Sequence, residues 1–130
     1  MNRKGFTLLE LVVVVIILGI LATLGFTQYT KMVEKGRTAE AKMILGQIRT
    51  AQVAYNQQFG GFTTALANLS VEAPSACGAS GNHYFSYATD ASTGTATRCT
   101  VNGKTPVGAA AYTLTLSHGA GAFGGSAGYY

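Results

Sequence analysis

The chain has 130 residues, a formal net charge of +4 and two cysteines. A chain of this length has room for one small folded core, which excludes a second domain and a large enzymatic scaffold. Its few basic residues are mixed with acidic ones, so no basic patch of the kind that binds nucleic acid is present in the sequence.

The first predicted element is an apolar helix near the N-terminus. Residues 11–30 contain no charged side chain, and they are long enough to cross a bilayer core of about 30 Å as one helix. Arg3 and Lys4 precede the helix, which predicts a cytoplasmic N-terminus and an exported body. A secretory signal peptide and a plain membrane anchor are the alternatives. The apolar run exceeds the roughly 7 to 15 residues of a signal peptide, and an anchor leaves Glu10 unexplained.

The border between the basic leader and the helix reads RKG-FTLLE. It resembles the class III signal of type IV pilins and of the related pseudopilins of type II secretion. The resemblance implies that Arg3 and Lys4 belong to a recognised leader, residues 1–5, which a prepilin peptidase cuts off after Gly5. The same resemblance implies methylation of the new N-terminal amine on Phe6.

Glu10 is the only charged residue between Lys4 and Lys31. An ionised carboxylate in hydrocarbon is costly and normally has a partner, and the resemblance places Glu10 at the fifth position of the mature chain. We therefore expect Glu10 to form an assembly salt bridge with the Phe6 amine of a neighbouring subunit. Thr27 stands where the family usually has a proline, so the place of any helix unwinding near Gly19 or Gly25 stays open.

The helical pattern continues beyond the membrane segment. It predicts a filament-core half over residues 6–30 and an amphipathic half over residues 31–59, ended by Gly60 and Gly61. Three-and-four spacing predicts the packed residues of the second half. They form two rows: Met32, Lys35, Ala39, Met43 and Gly46, and then Ile44, Ile48, Ala51 and Tyr55.

A connector over residues 60–82, with a short helical turn near Thr64 to Leu69, leads into a predicted sheet over residues 83–130. The segments HYFSYAT, TATRCTV and AYTLTLS predict a three-stranded antiparallel meander on one face of the helix. Alternation predicts three inward groups. They are Phe85 and Tyr87; Thr97, Cys99 and Val101; and Tyr112, Leu114 and Leu116.

The end of the predicted sheet region is a Gly-rich tail. It is expected to be poorly ordered or surface-packed, with Tyr129 and Tyr130 as contacts for other subunits. The fold class is therefore α+β, with a long N-terminal helix on a small antiparallel sheet.

Cys77 and Cys99 lie in the part of the chain that is predicted to be exported. An oxidising compartment favours a disulfide between them, and two free thiols are the alternative. His83 and His118 lack the spacing of metal ligands and are predicted to lie at the surface. We therefore expect no metal and no cofactor.

No catalytic constellation is recognisable in the sequence, so we expect a structural protein rather than an enzyme. The resemblance implies a pilin that moves from the inner membrane, through an assembly platform, into a homopolymeric type IV pilus on the cell surface. In that family the pilus serves adhesion, motility, DNA uptake or surface colonisation. A pseudopilin of a type II secretion system and a membrane-anchored binding domain that never polymerises remain alternatives.

Overall fold

The computed structural model describes residues 5–78, 81–106 and 110–129. Those residues form helix α1 (Leu8–Phe59), a 3-10 turn (Leu66–Asn68) and the strands β1 (Phe85–Thr89), β2 (Thr93–Arg98), β3 (Thr113–Ser117) and β4 (Phe123–Gly125). The predicted α+β fold class is confirmed. The chain divides into two compact units, one up to Val33 and one from Glu34 onward.

Helix α1 confirms the predicted long helix, with 52 residues. It ends where the sequence predicted, because Gly60 adopts a φ of +76°. The amide of Gly60 donates a 2.8 Å hydrogen bond to the carbonyl of Asn56, which satisfies one of the free carbonyls at the helix end.

The first unit is a helix whose apolar side chains are exposed. Its most apolar 18-residue window has a mean hydropathy of 2.8, none of it is buried, and by length and composition it can cross a membrane. The hydroxyls of Thr23, Thr27 and Thr30 donate to backbone carbonyls three residues earlier, at 2.8, 3.0 and 3.0 Å. These polar groups are satisfied inside the helix, as a hydrocarbon environment requires.

In the second unit α1 buries one stripe of side chains. The buried residues are Glu34, Thr38, Ala41, Leu45, Ile48 and Gln52. The predicted second row is confirmed in part, because Ile48 is fully buried and Ile44, Ala51 and Tyr55 pack at the edge of the core. The predicted first row, which includes Met43, is wrong, because Met43 is 61% exposed. The buried stripe instead runs through Ala41, Leu45 and Ile48.

The four strands form an antiparallel sheet in the order β1-β2-β3-β4. Its inward residues share the core with the helix stripe; they are Phe85, Tyr87, Ala96, Tyr112, Leu114 and Leu116. Gly94 in β2 allows the close approach of helix and sheet. A Cβ atom there would lie 3.3 Å from Leu45 Cδ2 and 3.4 Å from Ile48 Cγ2.

The predicted inward faces of β1 and β3 are confirmed, but that of β2 is wrong. Gly94, Ala96 and Arg98 point inward, whereas Thr97 is exposed. Cys99 is buried, but it follows the end of the strand, and Val101 is 45% exposed. An arginine at an inward position conceals the alternation, because a charged residue normally marks the outer face of a strand.

The prediction of three strands is corrected to four. β4 lies in the Gly-rich tail and pairs with β3 through Leu116 with Phe123, Thr115 with Gly124, and Leu114 with Gly125. Three residues, two of them glycine, show no alternation that a sequence pattern can detect. Further along, the Tyr129 ring stacks on that of Tyr112 within the same chain, 3.9 Å between centroids, and Tyr130 lies outside the described residues.

The connector contains the predicted short turn, at Leu66–Asn68. The hydroxyl oxygen of Thr63 accepts hydrogen bonds from the Ala65 amide at 3.2 Å and from Asn68 Nδ2 at 2.9 Å. Thr63 is therefore the side chain that stabilises this part of the connector.

We expect Gly125→Ala to lower the free energy of unfolding by about 1 to 3 kcal/mol. Gly125 has a φ of +119°, and an added Cβ would collide with the carbonyl of Thr113 and lie 2.9 Å from Leu114 Cα. The measurement is chemical denaturation of the detergent-solubilised chain, followed by near-ultraviolet circular dichroism of the tyrosines.

The matched control is Gly119→Ala, because no heavy atom lies within 4 Å of a Cβ at that position. It should change stability by less than about 0.5 kcal/mol. Equal stability of the two variants would show that β4 does not constrain the sheet.

Candidate functional site

The predicted cleavage position lies ahead of the helix. Gly5 and Phe6 both precede α1, and the side chain of Phe6 is 87% exposed. Arg3 and Lys4, which the sequence assigned to leader recognition, lie outside the described residues. The bond between Gly5 and Phe6 is thus outside regular secondary structure and beside an apolar side chain that packs on nothing in the described part of the chain.

Thr7 and Glu10 form a reciprocal cap at the start of α1. Glu10 Oε2 accepts hydrogen bonds from the Thr7 amide and the Thr7 hydroxyl, both at 2.9 Å, and Thr7 Oγ1 accepts from the Glu10 amide at 3.2 Å. This is a capping box, which satisfies two free donors at a helix N-terminus. The spacing of a threonine and a glutamate three residues later is visible in FTLLE, and sequence reasoning missed it.

The capping box uses one carboxylate oxygen of Glu10. In the described part of the chain, Oε1 accepts no hydrogen bond, and both residues are exposed. Glu10 therefore has a local structural role and keeps an oxygen for a second donor. The structure holds a single copy of the chain, so the predicted salt bridge between subunits stays a prediction.

The predicted disulfide joins Cys77 to Cys99, with a Cα to Cα distance of 5.5 Å. Cys99 directly follows β2, and its amide donates to the Tyr84 carbonyl at 2.9 Å. The bond closes a loop of 22 residues in sequence separation, which on chain-entropy grounds stabilises the fold by about 3 kcal/mol. It ties the connector to the sheet.

A buried ion pair between Glu34 and Arg98 is a feature that sequence reasoning missed. Arg98 Nε lies 3.0 Å from Glu34 Oε2, and Arg98 Nη2 lies 3.2 Å from Glu34 Oε1. Tyr112 donates its hydroxyl to Glu34 Oε2 at 2.8 Å, and Arg37 also contacts the carboxylate. Helix α1, β2 and the residue that precedes β3 meet at this one carboxylate.

The ion pair is well satisfied. Arg98 Nη1 donates to the carbonyls of Cys99 and Tyr84, at 2.7 and 3.2 Å. Burial raises the pKa of Glu34, but hydrogen bonds from Arg98 and Tyr112 and the charge of Arg98 outweigh burial, so its pKa lies below the ordinary value. Glu34 is therefore ionised at neutral pH. The contact joins residues 64 apart in sequence, a distance over which no local pattern extends.

His118 is buried, with 1% of its surface exposed, so its predicted surface position is wrong. Its Nε2 lies 3.0 Å from Thr89 Oγ1 and 3.2 Å from the carbonyl of Asp90. A carbonyl only accepts, so Nε2 carries the proton. Nδ1 then has a buried lone pair with no partner among the described residues.

Among the described residues, the charged groups around His118 form no ion pair with its ring. Arg49 from the helix donates to the His118 carbonyl at 3.1 Å, and the Asp90 carboxylate already accepts from Ser92 and Thr93. Gln52 donates to Thr89 Oγ1 at 2.8 Å. Burial is the main cause that lowers the pKa of His118, which keeps the ring neutral.

The described residues contain no group of three or more His, Cys, Asp and Glu side chains that could hold a metal ion. His83 is only half-buried, and its Nε2 lies 3.0 Å from the Ala76 carbonyl. The chemically distinctive features are therefore the signal at the N-terminus, the exposed apolar helix and the cross-linked body.

Comparisons with known proteins agree on the N-terminal region. Residues 1–26 match the family described as the prokaryotic N-terminal methylation motif. The type IV major fimbrial protein FimA of Dichelobacter nodosus is 43% identical over 49 residues, which are 38% of this chain and 31% of FimA. The type IV major pilin protein PilA of Myxococcus xanthus (strain DK1622) is 39% identical over 54 residues, 42% of this chain and 24% of PilA.

A probable minor fimbrial protein of Dichelobacter nodosus is 35% identical over 67 residues, 52% of this chain and 40% of that protein. The chain thus spans less than half of the length of each of these relatives. The methylation motif, the similarity to type IV major pilins and the α+β fold support the pilin family for this chain.

We expect the stability of the second unit to fall as pH decreases below about 6.5, the ordinary pKa of histidine. The pKa of His118 is lowered in the folded chain, so the unfolded state takes up the proton first. Stability is therefore fully present above that pH and is lost below it, with a limiting slope of about 1.4 kcal/mol per pH unit. Denaturation at pH values from 7.5 to about 5 measures it.

Two variants separate the histidines. His118→Gln should be less stable at pH 7.5 but should lose most of the pH dependence, whereas His83→Gln should keep it. A pH dependence that disappears in His83→Gln and persists in His118→Gln would contradict the assignment.

Proposed function

We propose that this chain is a prepilin, cut between Gly5 and Phe6, methylated on the Phe6 amine and polymerised into a type IV pilus. The observation that carries the proposal is the methylation motif over residues 1–26, which includes the start of a helix whose most apolar 18-residue window is not buried. The chain would serve as a structural subunit rather than an enzyme.

The exposed apolar surface of the first unit supports two successive environments for the protein, first a membrane and then a filament. Large apolar side chains such as Ile16, Leu21 and Phe26 are more than half exposed, and apolar surface of this extent is unstable in water. A membrane covers it in the precursor, and neighbouring copies cover it in a filament. The inner membrane is then the first location, with an assembly platform there, and the cell surface the second.

Glu10 supports the second stage. Cleavage creates an amine on Phe6, four residues before Glu10 and just ahead of the helix, and one Glu10 oxygen is free of the capping box. The amine of a neighbouring copy is a complementary donor, and pairing it with the carboxylate removes the cost of an isolated charge in an apolar filament core. Glu10 would thus set the axial register of each incoming subunit.

The names of the similar proteins support a type IV pilus as the proposed filament. Two of them are named as major subunits, a fimbrial protein and a pilin of type IV, so we propose an abundant pilus subunit. Adhesion, twitching motility, DNA uptake and surface colonisation are the uses we propose for such a pilus.

We expect Glu10→Val to accumulate in the membrane as cleaved protein and to yield few filaments. The substitution favours the bilayer by about 2 to 3 kcal/mol and removes the charge that pairs with a neighbouring amine. Glu10→Gln should be intermediate, because it keeps a hydrogen bond but no ion pair. The measurement compares the chain in sheared filaments with the chain in membranes.

Thr7→Val is the matched control. It removes the hydroxyl of the capping box, worth about 1 kcal/mol, but keeps the carboxylate, so it should still give filaments. Equal filament yields from Glu10→Val and the wild type would refute the role of Glu10 in register.

A further inference from the structure

His118 lies where three segments of the second unit meet. It follows β3 directly and starts the turn that leads to β4. Its amide donates to the Ser92 carbonyl at 2.9 Å, and its Nε2 lies 3.0 Å from Thr89 Oγ1 and 3.2 Å from the Asp90 carbonyl. Its ring also lies against the Phe62 ring of the connector, 5.4 Å between centroids. One buried side chain therefore joins the β3–β4 turn to the β1–β2 turn and to the connector.

The hydrogen bonds of this junction continue into helix α1. Gln52 Nε2 donates to Thr89 Oγ1 at 2.8 Å and to the Thr63 carbonyl at 2.6 Å, and the Thr63 amide donates back to Gln52 Oε1 at 3.0 Å. Amides and hydroxyls do not titrate near neutral pH, so His118 is the titratable member of this set. Its Nδ1 is buried without a hydrogen-bond partner among the described residues. In that part of the chain the ring therefore makes its hydrogen bonds through Nε2 alone.

Two charged side chains face His118. The Arg49 guanidinium of α1 donates to the His118 carbonyl at 3.1 Å, and the Asp90 carboxylate accepts hydrogen bonds within its own turn. The residues that approach the ring from the connector and from β2 are Phe62 and Gly94, which carry no charge. Burial is the main cause that lowers the pKa of His118, and with the repulsion by Arg49 it outweighs the attraction of Asp90. A charged ring is therefore disfavoured as long as the junction stays closed.

Few contacts hold residues 119–129, the C-terminal segment, on the rest of the body. β4 has three residues and pairs with β3 alone. Beyond β4, the Ser126 amide donates to the Thr113 carbonyl at 2.8 Å, and the Tyr129 ring stacks on that of Tyr112. The disulfide and the buried ion pair join residues that all precede β3. Segments with few contacts open locally before a whole domain unfolds, and His118 attaches the start of this segment to the β1–β2 turn.

We propose that His118 is a pH switch: in mildly acidic surroundings its ring takes up a second proton, and the C-terminal segment opens while α1 and β1–β3 stay folded. Opening lets water solvate the charged ring, which removes the cost of a buried charge. It also leaves the outer edge of β3 without its partner strand, and an unpaired strand edge is a place at which other chains can pair. The switch goes beyond the proposed function, because it acts within the folded body of a single chain.

The sign of the pH effect follows from the two states of His118. In the open state its pKa has the ordinary value of about 6.5, and in the closed state its pKa is lower, so the open state binds the proton first. The closed state is fully favoured above that pH. Below it, the equilibrium constant for opening rises by up to about tenfold per pH unit, which is up to about thirtyfold between pH 6.5 and pH 5.

Hydrogen exchange of backbone amides in the full chain, solubilised in detergent, tests the switch. The amides of Gly121 and Ser126 donate to carbonyls of β3 and report on the C-terminal segment. The amides of Tyr87 and Cys99 donate to carbonyls that precede β3 and report on the rest of the body. After correction for the intrinsic pH dependence of exchange, the protection of Gly121 and Ser126 should fall by about three- to thirtyfold from pH 7.5 to pH 5.

Low concentrations of urea separate local opening from global unfolding, which acid also favours. Local opening exposes little surface and is insensitive to urea, whereas urea promotes global unfolding. At both pH values, Gly121 and Ser126 should exchange at least about tenfold faster than Tyr87 and Cys99, and only the second pair should respond to urea. Equal protection and an equal urea response of all four amides would overturn the switch, because the segment would then open only with the whole unit.

Two variants identify the group that titrates. His118→Gln keeps an amide donor but cannot take up a proton, so Gly121 and Ser126 should lose their pH dependence, whether the segment is closed or open in this variant. His83→Gln is the matched control, because it removes a histidine that precedes β1, and it should keep the wild-type pH dependence. A pH dependence that survives in His118→Gln, or none in the wild type, would overturn the switch and leave the pilin proposal standing.

Discussion

The bidentate contact between Glu34 and Arg98 is the interaction on which the folded body depends. It joins the helix to β2, and the same carboxylate accepts the hydroxyl of Tyr112. Removal of one partner from such a pair leaves a buried charge unsatisfied, at a cost of about 3 to 5 kcal/mol. The disulfide at Cys99 and the stacking of Tyr129 on Tyr112 fasten the connector and the tail around it.

The position of this contact also explains how one helix serves two environments. Glu34 is the first residue of the second unit, and every buried position of α1 lies from there onward. Before it, the helix satisfies its own polar groups and exposes apolar side chains; after it, the helix buries a stripe in a core of its own. The first part suits lipid or neighbouring helices, and the second is stabilised within the chain.

The sequence predicted what depends on local pattern. The end of the helix at Gly60, the inward faces of β1 and β3 and the pairing of the cysteines are all confirmed. The predicted inward face of β2 was wrong because Arg98 is buried. Its charge is paired with Glu34, which lies 64 residues away in sequence. β4 and the buried position of His118 depend likewise on contacts between distant segments, and only the fold brings those together. At the N-terminus, the RKG-FTLLE signal was recognised from the sequence. The capping box of Thr7 and Glu10 has a recognisable spacing in the same segment, but it was overlooked.

We propose that this chain leaves the membrane as a processed subunit of a surface filament. The most direct measurement is the intact mass and N-terminal residue of the chain recovered from sheared surface filaments. We expect a chain that begins at a methylated Phe6 and keeps the bond between Cys77 and Cys99. A chain that begins at Met1, or one that is absent from the filament fraction while abundant in membranes, would contradict it.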